Sequence, residues 1–279
     1  MTQQAGEELW RETNRANWNE RVPIHLRSKF YDIERLRAGT ATLYPIEEVE
    51  FGPVADLDVL HLQCHFGYDS LVLARQGARV TGLDFSGVAT TAAQDLAREL
   101  DLAERATFVE ADLYDAQTAI GPHRRFDRVF VTWGALVWLP DITRWAEIVS
   151  GFLKPGGRLY LADGHPFAYL FDEHAAPRSG PLKYYAPYFG SLGIRAQSPI
   201  DYADAEARLT NATTFEFLHT LGDIITAVTK AGLTLDYLHE HPTVPWQMFD
   251  CLVEDERGMF HWPDQRWLPL AFSISARRE

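Results

Sequence analysis

Short apolar runs alternate along this chain with longer segments whose apolar residues recur at helical spacing, the pattern of strands joined by helices. Val59, Leu60 and Leu62 read as a short buried strand. The next segment places Leu71, Leu73 and Ala74 on a face suited to a sheet, with Asp69 and Ser70 as caps and Gly77 as its left-handed end. Val80, Gly82 and Leu83 predict a second strand with Asp84 at its carboxyl end. Ser86 then caps an alanine-rich helix over 88–100, with a buried stripe of Ala89, Ala92, Ala93, Leu96 and Leu100. Residues 107–113 form a third strand that ends on Asp112, and 126–132 a fourth. Asp141 caps a helix whose Ile142, Trp145, Ile148, Val149 and Phe152 share one face. Lys154-Pro155-Gly156-Gly157 turns into a fifth strand at 158–162.

The flanks are less regular. Residues 1–5 read as a loose terminus and 7–20 as an irregular amphipathic helix carrying Leu9, Trp10, Ala16 and Trp18. Residues 22–36 are too aromatic for a solvated tail and predict a cover or lid; 39–53 read as a connector. After the fifth strand, residues 163–218 break the alternation with a run containing Pro177, Gly180, Pro181, Tyr184, Tyr185, Tyr188 and Phe189. A connection this long suits a substrate cap, and 209–217 predicts a small antiparallel element within it. Thr220 and Asp223 make a capping box for a helix to Ala231, closed by Gly232. A strand follows at 233–239, and 270–276 alternates as a final strand with one exposed face. Residues 241–267 read as an aromatic loop. The expected organisation is an arm at 1–53, a core at 54–163, a cap at 164–218 and completion of the core sheet at 219–279. The fold class is α/β, a Rossmann-like doubly wound sheet.

Composition narrows the partners. The chain has 279 residues, 46% of them hydrophobic, and a net charge of −13 with no basic run to offset it. A polynucleotide would meet net repulsion, so no nucleic-acid partner is expected. Cys64 and Cys251 alone give no disulfide framework. No signal peptide and no apolar run of about 18 residues is seen, so the expectation is a cytoplasmic protein without membrane contact, as monomer or homodimer.

The chemistry concentrates between Asp58 and Ser86. In an open parallel sheet, ligands bind beyond the carboxyl ends of the strands. The turn after the first strand offers backbone N–H groups, and Asp84, about 20 residues on, is an acceptor-only group suited to two ribose hydroxyls. The turn reads Gln63-Cys64-His65-Phe66-Gly67 rather than G-x-G-x-x-G. Gln, His and Phe would crowd a diphosphate, which speaks against a nicotinamide or flavin dinucleotide.

These residues resemble the class I S-adenosylmethionine-dependent methyltransferases, and within them a bacterial small-molecule subgroup with an HLQCHFG-type turn. The first motif, (D/E)-x-G-x-G-x-G, falls on His61-Leu62-Gln63-Cys64-His65-Phe66-Gly67, with histidine for the acidic residue and one glycine of three; the second falls on Val80-Thr81-Gly82-Leu83-Asp84-Phe85-Ser86. The resemblance implies S-adenosylmethionine as cofactor and an antiparallel last strand. It maps the cofactor onto His61, Gln63, Cys64, His65 and Gly67, places the ribose on Asp84 beside Ser86, and lays Phe85 against the adenine. An acidic residue at Asp112 would accept from the adenine amino group, with the N–H groups of Ala111 and Leu113 beside it; the alternative is that Asp112 caps the next turn. Tyr31 would reach the cofactor carboxylate, and Thr132 and Trp133 would border the cofactor at the fourth strand's end.

Methyl transfer from a sulfonium needs positioning and dryness more than acid–base help, but a hydroxyl or protonated amine acceptor requires a base. His165 and His219 are the candidates, with structural roles as their alternative. Trp18 and His25 of the arm, with Trp133, Phe167, Tyr184, Tyr188 and Trp246, are candidate contacts for a flat small-molecule acceptor; packing of the cap is the other reading. The spacing of Asp163, His165 and His174 does not suit a metal, and none is expected. No (N/D)-P-P-(Y/F) motif follows the fourth strand, which disfavours methylation of adenine or glutamine amino groups. A SAM-binding regulator without catalysis and a nicotinamide-dependent oxidoreductase are the rival functions.

Overall fold

A computed structural model describes residues 3–172, 183–190, 193–264 and 268–279. His174, Pro177, Gly180, Pro181 and Trp267 lie outside the described residues. In chain order the elements are α1 (Gln3–His25), α2 (Ile33–Ala38), α3 (Pro45–Glu50), β1 (Asp58–Leu62), α4 (Tyr68–Arg75), β2 (Arg79–Asp84), α5 (Gly87–Glu99) and β3 (Ala106–Glu110). These are followed by α6 (Ala116–Ile120), β4 (Phe126–Thr132), α7 (Ile142–Phe152), β5 (Leu153–Gly164), β6 (Ile194–Gln197) and β7 (Thr213–Glu216). The chain ends with α8 (Leu221–Lys230), β8 (Leu233–His241), β9 (Thr243–Val244), β10 (Val253–Glu254), β11 (Phe260–His261) and β12 (Ala271–Arg278).

The main sheet has seven strands in the order β3-β2-β1-β4-β5-β12-β8. β1 pairs in parallel with β2 and β4, and β2 with β3, whereas β12 runs antiparallel to both β5 and β8. This is the mostly parallel α/β sheet with an antiparallel last strand that the sequence pattern and the resemblance imply. The apolar runs are explained by it: Val59, Leu60 and Leu62 are buried, as interior parallel strands with covered faces require. β12 corrects an expectation. Ala271 through Ala276 are all buried, because both faces of the strand are covered and Ser273 and Ser275 face protein rather than water.

Other boundaries also shift. The N-terminal helix is continuous to His25, with Pro23 inside its last turn, so 7–20 and the start of the aromatic arm are one element. The expected connector contains α3, begun by Pro45 at its first turn. Gly67, rather than Asp69 or Ser70, is the N-cap of α4. The fifth strand starts earlier, at Leu153, and the third ends at Glu110, before Asp112. Within 241–267 a small three-stranded sheet in the order β10-β11-β9 replaces a loop. Ser86, Asp141 and Thr220 cap their helices as expected, donors being Ala89, Arg144 and Asp223 N–H, and Asp223 completes the box.

The chain divides into two compact units. One comprises Met1–Leu43, Pro53–Phe130 and Ile194–Glu216; the other comprises Tyr44–Gly52, Val131–Gly193 and Phe217–Glu279. The arm and the insertion are therefore each split between units. In the first unit, the expected small antiparallel element is β6 paired with β7, and α1 holds it. Asn14 donates from Nδ2 to the Phe215 carbonyl at 2.9 Å and accepts the Phe215 N–H on Oδ1 at 2.8 Å, while Glu20 accepts the N–H groups of Thr210 and Asn211 at 2.7 and 2.8 Å. In the second unit, α7 buries Trp145 completely, and Val244, Met248, Phe249, Trp262 and Leu270 form an apolar cluster with Leu170 and Phe171.

Gly67 is required twice over. Its φ is +76°, and a Cβ there would lie 2.6 Å from the buried Phe108 ring. Gly67→Ala is expected to lower stability by about 2–4 kcal/mol through left-handed strain plus overlap, read as a shift of the urea midpoint at unchanged slope.

Candidate functional site

The turn after β1 carries backbone strain in a regular pattern. Gln63, His65 and Gly67, alternate residues, have φ of +56°, +52° and +76°. These are the three positions that the first motif fills with glycine. The left-handed backbone persists without glycine at two of them, at a cost of about 1–2 kcal/mol each for an L-residue, and histidine is among the side chains that visit this region most readily. Strain kept in this way marks a turn whose shape is used.

Asp84 fixes that shape. Its Oδ2 accepts the His65 N–H at 2.9 Å and its Oδ1 accepts the Ser86 N–H at 2.9 Å, tying the first turn to the start of α5. Burial pushes its carboxyl up to about 6, against the pull of these N–H groups. The Phe85 N–H adds a third pull on it; a carboxylate has about four lone-pair sites, so acceptor capacity remains for a further donor. Ser86 Oγ caps Ala89 and donates to Asn19 Oδ1 at 2.6 Å. Around it, α1 lies along the carboxyl ends of these strands: Arg15 places its guanidinium 5.8 Å from the Phe85 ring, and Arg11 pairs with Asp112 Oδ2 at 3.1 Å.

Two implied adenine contacts look different in detail. Asp112 Oδ1 accepts the Tyr114 N–H, so the capping alternative is realised. The Ala111 N–H is spent on the Asp84 carbonyl at 3.0 Å, because the parallel pairing of β2 and β3 continues past the strand end. Leu113 is buried and starts the single turn that Asp112 caps. His61 is 3% exposed, bonds Ser70 Oγ through Nδ1 at 2.8 Å, stands edge-on to Phe130 and is driven to about 3 by burial; it belongs to the packing beneath α4. Cys64 is also buried, its N–H on the Leu83 carbonyl, and burial raises its thiol well above the usual range, so it is no nucleophile.

The same turn gathers the arm. His65 Nε2 lies 2.8 Å from His25 Nδ1, and His25 Nε2 lies 3.1 Å from Asp201 Oδ2, which Arg21 also holds at 2.8 Å. Trp18 stands edge-on to His65 with centroids 5.3 Å apart. Tyr31 stacks on His25 at 5.0 Å and exchanges a 2.6 Å hydrogen bond with the Tyr202 hydroxyl. Thus Tyr31, Trp18, His25 and the first motif do come together. Arg21, Asp201 and Tyr202 were invisible in the sequence: Asp201 sits 176 residues from His25 in an insertion with no motif.

The second unit holds the remaining candidates. Thr132 is buried at the end of β4, and Trp133 follows with a left-handed φ of +48°, its indole N–H donating to buried Glu47. Asp163 organises this corner. Its two oxygens accept the N–H groups of Gly134, Ala135, Leu136 and Gly164 at 2.6, 3.1, 3.0 and 2.7 Å. Its oxygens are thus committed; among the described residues no group of three or more His, Cys, Asp or Glu is placed to hold a metal. His165 accepts the Phe167 N–H on Nδ1 at 3.1 Å and faces Glu240 through Nε2 at 3.0 Å. Burial lowers its proton affinity, and the Glu240 carboxylate pulls the other way. His219 donates from Nε2 to the Leu139 carbonyl at 2.7 Å and lines a small cavity with Leu136, Asp163, Tyr169 and Phe272; burial keeps it neutral. Trp133, Trp246 and Tyr188 pack on the apolar cluster, whereas Phe167 and Tyr184 are 41% and 81% exposed. No helix is long and apolar enough to cross a membrane among the described residues.

Residues 59–157, from β1 into β5, match the family model described as "Methyltransferase domain". Three solved structures share the fold. A protein from Listeria monocytogenes provisionally assigned as an S-adenosylmethionine-dependent methyltransferase is 19% identical, with a TM-score of 0.59 over 83% of this chain and 95% of its own. An S-adenosylmethionine-dependent methyltransferase from Mesorhizobium loti is 20% identical, TM-score 0.57, over 84% and 96%. The glycopeptide N-methyltransferase MtfA, complexed with S-adenosylmethionine, is 18% identical, TM-score 0.53, over 83% and 91%. No curated protein matches in sequence. Residues 59–157 are therefore similar to a methyltransferase domain, and the fold is the one these S-adenosylmethionine-dependent methyltransferases share.

Asp163→Ala would strand several buried N–H groups at once. A loss of about 3 kcal/mol in urea unfolding is expected, together with a change in the Trp133 environment seen in fluorescence.

Proposed function

We propose that this protein transfers the methyl group of S-adenosylmethionine to a small molecule, at oxygen or nitrogen of an aromatic or heterocyclic metabolite. The observation that carries the reading is the turn: three left-handed residues at the motif's glycine positions, closed by Asp84 with acceptor capacity to spare. That set fits a nucleoside bearing two adjacent hydroxyl donors, and would serve a diphosphate poorly. When bound, the cofactor supplies an already activated methyl for in-line displacement. The chain's own residues then hold and dry the reactants: Asp84 accepts the ribose hydroxyls, Phe85 offers a flat face, and α1 with Trp18 and Tyr31 shields the turn from water. His219, neutral and beside a cavity, and His165, beside Glu240, are the candidate bases. The small-molecule acceptor is supported by the N-methyltransferase neighbour, which acts on a glycopeptide, and by the net charge of −13, which repels polynucleotides. A cytoplasmic monomer or homodimer belongs to the same proposal.

The test is calorimetry with S-adenosylhomocysteine. Asp84→Asn is expected to weaken binding by about 1–3 kcal/mol. Because ribose donors need the ionised carboxylate, and the Asp84 carboxyl is raised to about 6, wild-type affinity falls as pH drops below that value, by up to about tenfold per unit. Asp84→Asn flattens the profile. Affinity that is unchanged in the variant removes Asp84 from the site; nicotinamide binding without S-adenosylhomocysteine binding overturns the function.

A further inference from the structure

The buried chain Arg21–Asp201–His25–His65 is not used by the reading of Asp84 as the ribose acceptor, and it leaves one atom unspent. Arg21 donates from Nη1 to Asp201 at 2.8 Å and from Nε to Asn17 Oδ1 at 2.8 Å. Burial alone would raise Asp201, but the hydrogen bond from His25 and the charge of Arg21 outweigh it, so the carboxylate is ionised and accepts only. His25 Nε2 lies 3.2 and 3.1 Å from its two oxygens and must carry the proton. His25 is fully buried and burial holds it neutral, so its Nδ1 is a bare acceptor. His65 Nε2, 2.8 Å away, must then donate. Burial, then His25 and Arg21, keep His65 neutral as well. The consequence is a fixed tautomer: His65 Nδ1 has a lone pair, is buried and has no hydrogen-bond partner. An unsatisfied buried acceptor costs about 1–3 kcal/mol, so a site that keeps one has a donor to meet it.

Which donor follows from chemistry. S-adenosylmethionine offers three kinds: ribose hydroxyls, the adenine amino group and the methionyl ammonium. The hydroxyls have Asp84, whose Oδ2 holds the His65 backbone itself. His61, at the motif's acidic position, is turned into the packing on Ser70 and Phe130. The ammonium thus lacks an acceptor at the place the motif would supply one.

We propose that His65 Nδ1 accepts from the methionyl ammonium of S-adenosylmethionine, with His25 and Asp201 as positioning residues that fix its tautomer. This rests on the methyltransferase reading and adds to it the means by which the amino-acid end is held. The acidic residue of the motif is replaced by a neutral imidazole whose polarity is set, two residues back along the chain of hydrogen bonds, by a carboxylate from the insertion.

The experiment compares two probes by calorimetry on the full chain: S-adenosylhomocysteine, which has the ammonium, and 5′-methylthioadenosine, which lacks the amino-acid end. His65→Gly keeps the left-handed backbone, since glycine adopts it freely, and removes only the imidazole. It is expected to weaken S-adenosylhomocysteine by about tenfold or more and to change 5′-methylthioadenosine by less than about twofold. His25→Ala is expected to show a smaller loss with the same selectivity, because it frees the tautomer without removing the acceptor. Equal losses for both probes, or none for either, overturn the role of His65 while leaving the methyltransferase reading intact. Failure of the wild-type chain to bind S-adenosylhomocysteine overturns both.

Discussion

Within the first unit everything near the first turn depends on one buried carboxylate. Asp84 takes one N–H from His65 and one from Ser86, so a side chain at the end of β2 holds the turn after β1 and the first residue of α5 in a single grip. A turn with two non-glycine residues at positive φ is not stable by itself; the charge-assisted bond to His65 helps offset that strain. The same oxygens retain capacity for a ligand. Structural work and spare acceptor capacity thus reside in one group, and burial raises its affinity for a proton.

The organisation of the wound sheet was legible in the sequence because it rests on short-range pattern. Val59 to Leu62, Val80 to Asp84 and the caps at Ser86, Asp141 and Thr220 each announce themselves within a few residues. The antiparallel β12 was legible in direction only through family resemblance; its alternation suggested a water-facing side, but both faces are covered, with Ser273 and Ser275 buried. The glycine-poor motif was legible as a departure, but not its outcome. That Gln63 and His65 adopt glycine's backbone is a tertiary result, imposed by Asp84 and the packing of Phe66 and Phe108.

The candidate site divides the same way. Asp84 and the turn could be found by position. Asp201, Arg21 and the histidine chain could not, because nothing local distinguishes an aspartate in an irregular insertion from a solvated one. His165 shows what position leaves out. A histidine just past a strand end reads as a base; that it accepts the Phe167 N–H and has Glu240 3.0 Å from Nε2 is set by the tertiary fold. His61, within the motif, likewise bonds Ser70 and stands edge-on to Phe130.

The docking of α1 on β7 has a bearing on the chain's behaviour in the test tube. Asn14 offers Phe215 one donor and one acceptor, the pairing another strand would make, and so a side-chain amide occupies a stretch of peptide edge. Exposed strand borders recruit further strands from other molecules. A shortened chain beginning beyond Asn14 would bare that border, and its first symptom would be self-association into sheet-rich aggregates rather than a simple loss of helix.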